Sequence, residues 1–221
     1  MNTQNEHLNT LQDIKQMMER SSRFISLSGL SGIAAGCCAL VGAWFGYGAL
    51  IEGNTAISSS DVTIPGPHER TALLYGSVDI KLLFIAAVTF IAALSSSFLF
   101  TWLRSRKTGT PLWSSITQRI MISVLIPIVA GGIYLLKMVD LREYGMIAPG
   151  CLIFYGLALL NASKYTLQEI RYLGLCEIVL GILNLWYVGK GLYFWAAGFG
   201  LLHIIYGVLM WWRYERKTAV N

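Results

Sequence analysis

The chain has 221 residues, of which 55% are hydrophobic and only 13% charged. Soluble domains carry about 25% charged residues, so this composition excludes an ordinary soluble domain and points to a membrane protein. The net charge of +5 does not mark a nucleic-acid binder, because Lys and Arg border the apolar segments and form no separate basic domain.

In chain order, residues 1–23 are polar and mixed in charge, which is not the pattern of a cleavable signal peptide. Leu8, Leu11, Ile14 and Met18 recur at helical spacing there. They predict an amphipathic helix on the inner membrane surface, with a short coiled contact to a cytoplasmic protein partner as the alternative. Six apolar stretches follow within residues 24–212: Phe24–Ile51, Leu82–Leu103, Ile120–Leu136, Ile147–Ala162, Tyr172–Tyr187 and Leu192–Trp212. A bilayer core needs roughly 17–25 helical residues, and the fourth and fifth stretches are short against that measure. The expected fold is all-α, a polytopic bundle of six transmembrane helices preceded by the N-terminal amphipathic helix.

Between the first two stretches, residues 52–81 read as an outer loop. Ser58-Ser59-Ser60-Asp61 and Pro65-Gly66-Pro67 are loop signals, and residues 68–80 have the makings of a short helix. The segment Arg104–Pro111 is basic and turn-rich, suited to anionic headgroups. Pro127, followed by Gly131-Gly132, predicts a kink in the third stretch. Residues 213–221 form a tail. With the N-terminus placed inside, twelve of the 17 Lys and Arg residues fall on the inner side and five on the outer. That balance predicts a membrane protein with both termini cytoplasmic.

One phrase, Gly-Leu-x-x-Ile-x-x-Gly, occurs three times. It reads Gly29-Leu30-Ser31-Gly32-Ile33-Ala34-Ala35-Gly36 in the first stretch. It returns as Gly174-Leu175-Cys176-Glu177-Ile178-Val179-Leu180-Gly181 in the fifth and as Gly200-Leu201-Leu202-His203-Ile204-Ile205-Tyr206-Gly207 in the sixth. Glycines seven apart share a helix face and let a second helix approach closely. The expectation is that the first, fifth and sixth helices pack together through Gly29, Gly32, Gly36, Gly174, Gly181, Gly200 and Gly207. Gly32 with Gly36, or Gly42 with Gly46, equally suit a homo-oligomer contact.

The fourth position of the phrase is Gly32 in the first copy but Glu177 and His203 in the others. Ionisable groups at membrane depth are costly and are functional candidates. The fifth and sixth stretches are joined by the short turn Val188-Gly189-Lys190-Gly191, so they must be antiparallel neighbours. Glu177 and His203 then come within reach of each other. Ser96, Tyr155, Asn161 and Tyr206 fall in the same inner half, which suggests a binding pocket open toward the cytoplasm. The bland alternative is a polar contact that only ties two helices together. Serines such as Ser95–Ser97 commonly bond their own preceding carbonyls. Asn161 beside Lys164 suits a helix end.

No cofactor or metal is expected. His7, His68 and His203 lie in three separate regions, and Cys37, Cys38, Cys151 and Cys176 have no ligand spacing. No nucleotide loop, zincin helix or serine elbow is present, so enzyme chemistry has little support. Two functions remain open: binding or translocation of a small molecule, ion or proton, or a non-transporting regulatory subunit that contacts a cytoplasmic partner.

Three phrases carry a resemblance. They are Met18-Glu19-Arg20-Ser21-Ser22-Arg23-Phe24-Ile25-Ser26-Leu27-Ser28-Gly29, Leu157-Ala158-Leu159-Leu160-Asn161-Ala162-Ser163-Lys164-Tyr165-Thr166 and Gly198-Phe199-Gly200-Leu201-Leu202-His203-Ile204-Ile205-Tyr206-Gly207. They resemble a group of six-span inner-membrane proteins of Gram-negative bacteria. The resemblance implies a plasma-membrane location and brings no activity, substrate or catalytic residue with it.

Overall fold

The computed structural model describes residues 28–59, 67–109 and 113–215. The amphipathic helix expected over residues 1–23 and the tail beyond residue 215 lie outside the described residues. Among the described residues the chain is helical, with short connections and no strand. The helices are α1 (Gly29–Ser59), α2 (Pro67–Thr108), α3 (Ser115–Asp140), α4 (Ile147–Ala162) and α5 (Gln168–Trp186). The last, α6, is the run 191–215, whose pitch changes along its length. It is α-helical over Gly191–Trp195, π-helical over Ala196–Leu202, α-helical over His203–Met210 and π-helical again over Trp211–Glu215.

Among the described residues, five stretches are long and apolar enough to cross a membrane: Gly29–Glu52, Lys81–Lys107, Ser115–Asp140, Tyr144–Ala162 and Gly191–Tyr214. Helix α5 is 19 residues long but carries Glu169, Arg171 and Glu177, and so stands apart in composition. The segment 52–81 is less of a loop than the Ser and Pro signals suggest. Helix α1 continues to Ser59 and α2 already begins at Pro67. Proline suits a first helical turn, where its missing N–H has no intrahelical partner to lose. Ser114 starts α3 by accepting the Thr117 backbone N–H at 3.2 Å, a side-chain N-cap. Pro127 is buried within α3, which runs on to Asp140 without a break in the helix. Gly189, with φ +94, makes the tight turn between α5 and α6.

Each helix packs through a particular small residue. A Cβ on Gly29 would stand 2.5 Å from the Gly207 carbonyl oxygen, and one on Gly207 would stand 2.7 Å from the Gly29 oxygen. One on Gly36 would lie 2.7 Å from the Gly200 oxygen. The backbones of α1 and α6 therefore touch, as they can only where side chains are absent. A second contact of this kind joins α4 to α5, where Cβ atoms on Gly156 and Gly174 would lie 2.6 and 2.8 Å from each other's carbonyl oxygens. Gly181 faces Ile153 and Leu152 of α4.

The three glycine phrases therefore do not meet on one seam. Those of α1 and α6 meet, whereas the glycines of α5 face α4. Gly156, outside the repeated phrase, supplies the complementary gap, and α5 meets α6 through side chains instead. Toward the outside of the bundle, α2 packs on α1, with Thr89 against Gly42. Likewise α3 packs on α4, with Phe154 over Gly131 and Tyr134 tilted on Phe154 at 5.5 Å.

Large apolar side chains stand outward on these peripheral helices, among them Phe84, Phe90, Ile91 and Phe98 on α2 and Ile122, Ile126, Ile133 and Leu136 on α3. A surface of this kind suits lipid contact. Overpacking a helix contact costs about 1–3 kcal/mol. Gly207→Leu should accordingly lower the melting temperature of the purified protein in detergent, followed by circular dichroism. Gly48→Leu, where nothing lies within 4 Å of the added Cβ, should leave it unchanged. Equal melting of the two variants would refute the close contact of α1 and α6.

Candidate functional site

The turn 187–190 sends α6 back along α5, and their contacts run in antiparallel register. Near the ends of the chain segments, Arg213 Nη1 lies 3.1 Å from Glu169 Oε1, and the Tyr214 hydroxyl donates to the same oxygen at 2.9 Å. Two turns further along α5, Cys176 Sγ and the Tyr206 hydroxyl are 3.9 Å apart. Next comes Glu177 opposite His203, with Oε1 3.4 Å from Nδ1. At the turn end, Asn184 Nδ2 lies close to Gly191.

Glu177 is fully buried and His203 is 7% exposed. The imidazole is held at both nitrogens. Nδ1 lies 3.0 Å from the Gly198 carbonyl oxygen, and Nε2 lies 2.7 Å from the Tyr155 hydroxyl. A carbonyl can only accept, so Nδ1 carries the hydrogen. In the neutral ring Nε2 then accepts from the tyrosine O–H. Tyr155 comes from α4, so three consecutive helices supply the cluster. The Phe199 ring packs on both Tyr155 and His203, with centroids 5.1 and 6.1 Å away.

Glu177 contrasts with this well-held ring. Neither carboxyl oxygen has a hydrogen bond among the described residues. His203 Nδ1, 3.4 Å from Oε1, is better placed toward the Gly198 carbonyl at 3.0 Å. The carboxyl fits because Gly198 has no side chain: a Cβ there would stand 2.5 Å from Glu177 Oε2 and 2.5 Å from Leu152 Cδ2. Gly198 also lies in the π-helical turn of α6, a widened form of helix frequently found at functional sites. One residue thus provides both the carbonyl that orients the histidine and the space that admits the acid.

Of the other expected site residues, none joins this cluster directly. Ser96 bonds the Ala93 carbonyl at 3.0 Å and lies 3.8 Å from Cys38 Sγ, on the seam of α1 and α2. Ser97 bonds the Ser31 carbonyl across the same seam at 3.2 Å. Asn161 is half-buried at the end of α4, where its backbone carbonyl accepts from Lys164 at 3.4 Å. Tyr206 sits a turn from His203 and is directed to Cys176. The sequence reading missed Gly198, Phe199 and Leu152 as members of the site, and it missed Glu169 with Arg213. Only the last two had a legible signal, as opposite charges at the ends of antiparallel neighbours. Among the described residues, no group of three His, Cys, Asp or Glu side chains is placed to hold a metal ion.

Tyr155→Phe removes one interhelical hydrogen bond, a change worth roughly 0.6 and at most about 1.7 kcal/mol in a membrane protein. Gly198→Ala forces Leu152 or Glu177 to move and should cost more, about 1–3 kcal/mol. Unfolding equilibria of the two variants in detergent check this order, and a Gly198→Ala variant as stable as the parent would mean that the carboxyl does not occupy that space. No protein-family model, no curated protein and no solved structure matches this chain.

Proposed function

We propose that this chain is a six-span inner-membrane protein with both termini cytoplasmic, and that Glu177, His203 and Tyr155 form a buried site that binds and passes a proton. The balance of basic residues supports the orientation. Counting α5 as a sixth span follows from its place between α4 and α6, against which it packs along its length.

The observation that carries the function is the state of Glu177. A carboxyl group with no exposure and no hydrogen bond is a poor structural tie. If it were ionised beside a neutral imidazole, its desolvation would cost several kcal/mol without compensation. It is a sound place to hold a proton beside a base. With the proton on Glu177, the imidazole is neutral, donating to Gly198 and accepting from Tyr155. With the same proton on the ring, imidazolium donates from Nδ1 to Gly198 and toward the Glu177 carboxylate, and from Nε2 to the rotated Tyr155 hydroxyl. The site holds one proton in either arrangement without a change of fold. Ser96, Asn161 and Tyr206 have no part in this chemistry.

The test uses purified protein in liposomes with an entrapped pH dye and a potassium diffusion potential. The parent protein should acidify the lumen faster than Glu177→Gln, and that variant should match protein-free vesicles while melting like the parent. Equal rates for parent and variant would overturn the reading and leave Glu177 as a helix tie. Attention would then pass to residues 1–20 as a contact for a cytoplasmic partner.

A further inference from the structure

Helix α5 buries a second polar residue on the same face as Glu177. Its buried positions are Ile170, Leu173, Gly174, Glu177, Gly181 and Asn184. Asn184 is seven residues beyond Glu177, about 10 Å along the helix toward the 187–190 turn. It is fully buried, and neither Oδ1 nor Nδ2 has a hydrogen-bond partner among the described residues. A buried primary amide calls for both a donor and an acceptor, and water is the smallest molecule that offers both.

Between the two levels stands Leu152 of α4, itself fully buried. Its Cβ would lie 3.0 Å from a Cβ on Gly181 of α5, and its Cδ2 would lie 2.5 Å from one on Gly198 of α6. Leucine therefore fills the gap that two glycines leave, with an acid on one side and an amide on the other.

The opposite end of the α5–α6 pair is built differently. Leu167, Ile170 and Met210 are buried together there, with Leu159 and Tyr214 packed against them. Glu169 shares one oxygen between Arg213 and Tyr214, which anchors that carboxylate even though its second oxygen makes no hydrogen bond among the described residues. The titratable groups facing Glu177 are Tyr155 from α4 and His203 from α6. Cys176 and Tyr206 close the next turn toward the apolar end. Asn184 lies only three residues, about 4–5 Å of helix, before the exposed turn residues Tyr187, Val188 and Gly189.

We infer that Asn184 holds water at the turn end of the bundle, and that protons reach Glu177 from that end past Leu152, which acts as an apolar plug. The inference rests on Glu177 being the proton site, and it places access at the end opposite the Glu169–Arg213 contact. In this conformation the site is closed on the side where the sequence alone suggested an opening.

The experiment is hydrogen–deuterium exchange of the Glu177 carboxyl, followed by infrared spectroscopy of the protein in nanodiscs after transfer to D2O. The band is identified by its loss in Glu177→Gln. Asn184→Leu, similar in size and free of polar atoms, should slow exchange about tenfold or more, the change that about 1.4 kcal/mol on the barrier produces. Asn184→Ser should retain fast exchange. Leu152→Ala should speed it, and Arg213→Ala should leave it unaltered. Unchanged exchange in Asn184→Leu, or acceleration in Arg213→Ala, overturns the route. Radiolytic hydroxyl labelling of the unaltered protein gives a second reading that no variant can spoil by misfolding. Pro149 and Leu152, both fully buried, should be oxidised only if internal water reaches them, and their protection would overturn the inference. Absence of any carboxyl band that Glu177→Gln removes would sink the proton reading instead, with the labelling still deciding whether water lies beside Asn184.

Discussion

The approach of backbones at glycine is the constraint on which the rest depends. In a membrane the apolar solvent offers little drive for helices to associate, so van der Waals contact between close surfaces carries more of the work. Two such contacts exist here, α1 with α6 at Gly29, Gly36, Gly200 and Gly207, and α4 with α5 at Gly156 and Gly174. The first fixes how α6 is rotated, because its glycine stripe must face α1. The second does the same for α5. The faces that remain carry His203 and Glu177, and they are left toward each other. The polar pair is thus positioned by contacts in which it takes no part.

The π-helical turn in α6 belongs to the same argument. An α-helix presents residues three and four apart on one face, whereas His203 engages the carbonyl of Gly198, five positions back. Widening the helix over Ala196–Leu202 brings that carbonyl to the ring while the glycine's missing side chain admits Glu177. The cost of a wider turn is offset locally by the hydrogen bond to Nδ1, while Phe199 stacks on the ring and Tyr155 holds its Nε2 edge. Glu177 is the member for which the fold supplies no hydrogen bond. That imbalance, one polar group held at both nitrogens and its neighbour at neither oxygen, separates this cluster from an ordinary interhelical tie.

The all-helical fold and its long apolar helices were legible in the sequence, because apolar length reports directly on solvent. The boundaries of α4, Ile147–Ala162, coincide with the expected stretch. The adjacency of Glu177 and His203 followed from the short turn between two helices. What did not follow was rotation. Three copies of one phrase suggested one seam, but a glycine accepts any partner that comes close, and Gly156 lay outside the phrase. The sequence reading put Ser96, Asn161 and Tyr206 at the same depth as Glu177, yet depth does not say which way a side chain turns. Tyr155 does face His203, and its place depends on the α4–α5 contact that the pattern did not reveal. Gly198 was illegible for a different reason: an i to i+5 relation has meaning only once the helix is known to widen.

The helices also repeat one order of packing across the chain. Helix α1 lies between α2 and α6, and α4 lies between α5 and α3, so the first and fourth helices are the inner members and the second and third expose large apolar side chains on their outer faces. The chemistry is not shared evenly between these halves. Tyr155, Glu177 and His203 come from α4, α5 and α6, while the seam of α1 and α2 holds Ser31, Cys38, Ser96 and Ser97 in short-range bonds. Serine hydroxyls that bond nearby carbonyls have little left to offer a ligand. A buried acid without such a bond retains that capacity. The same glycine contacts that bring the helices together therefore support a closed seam in one half and an unsatisfied acid in the other.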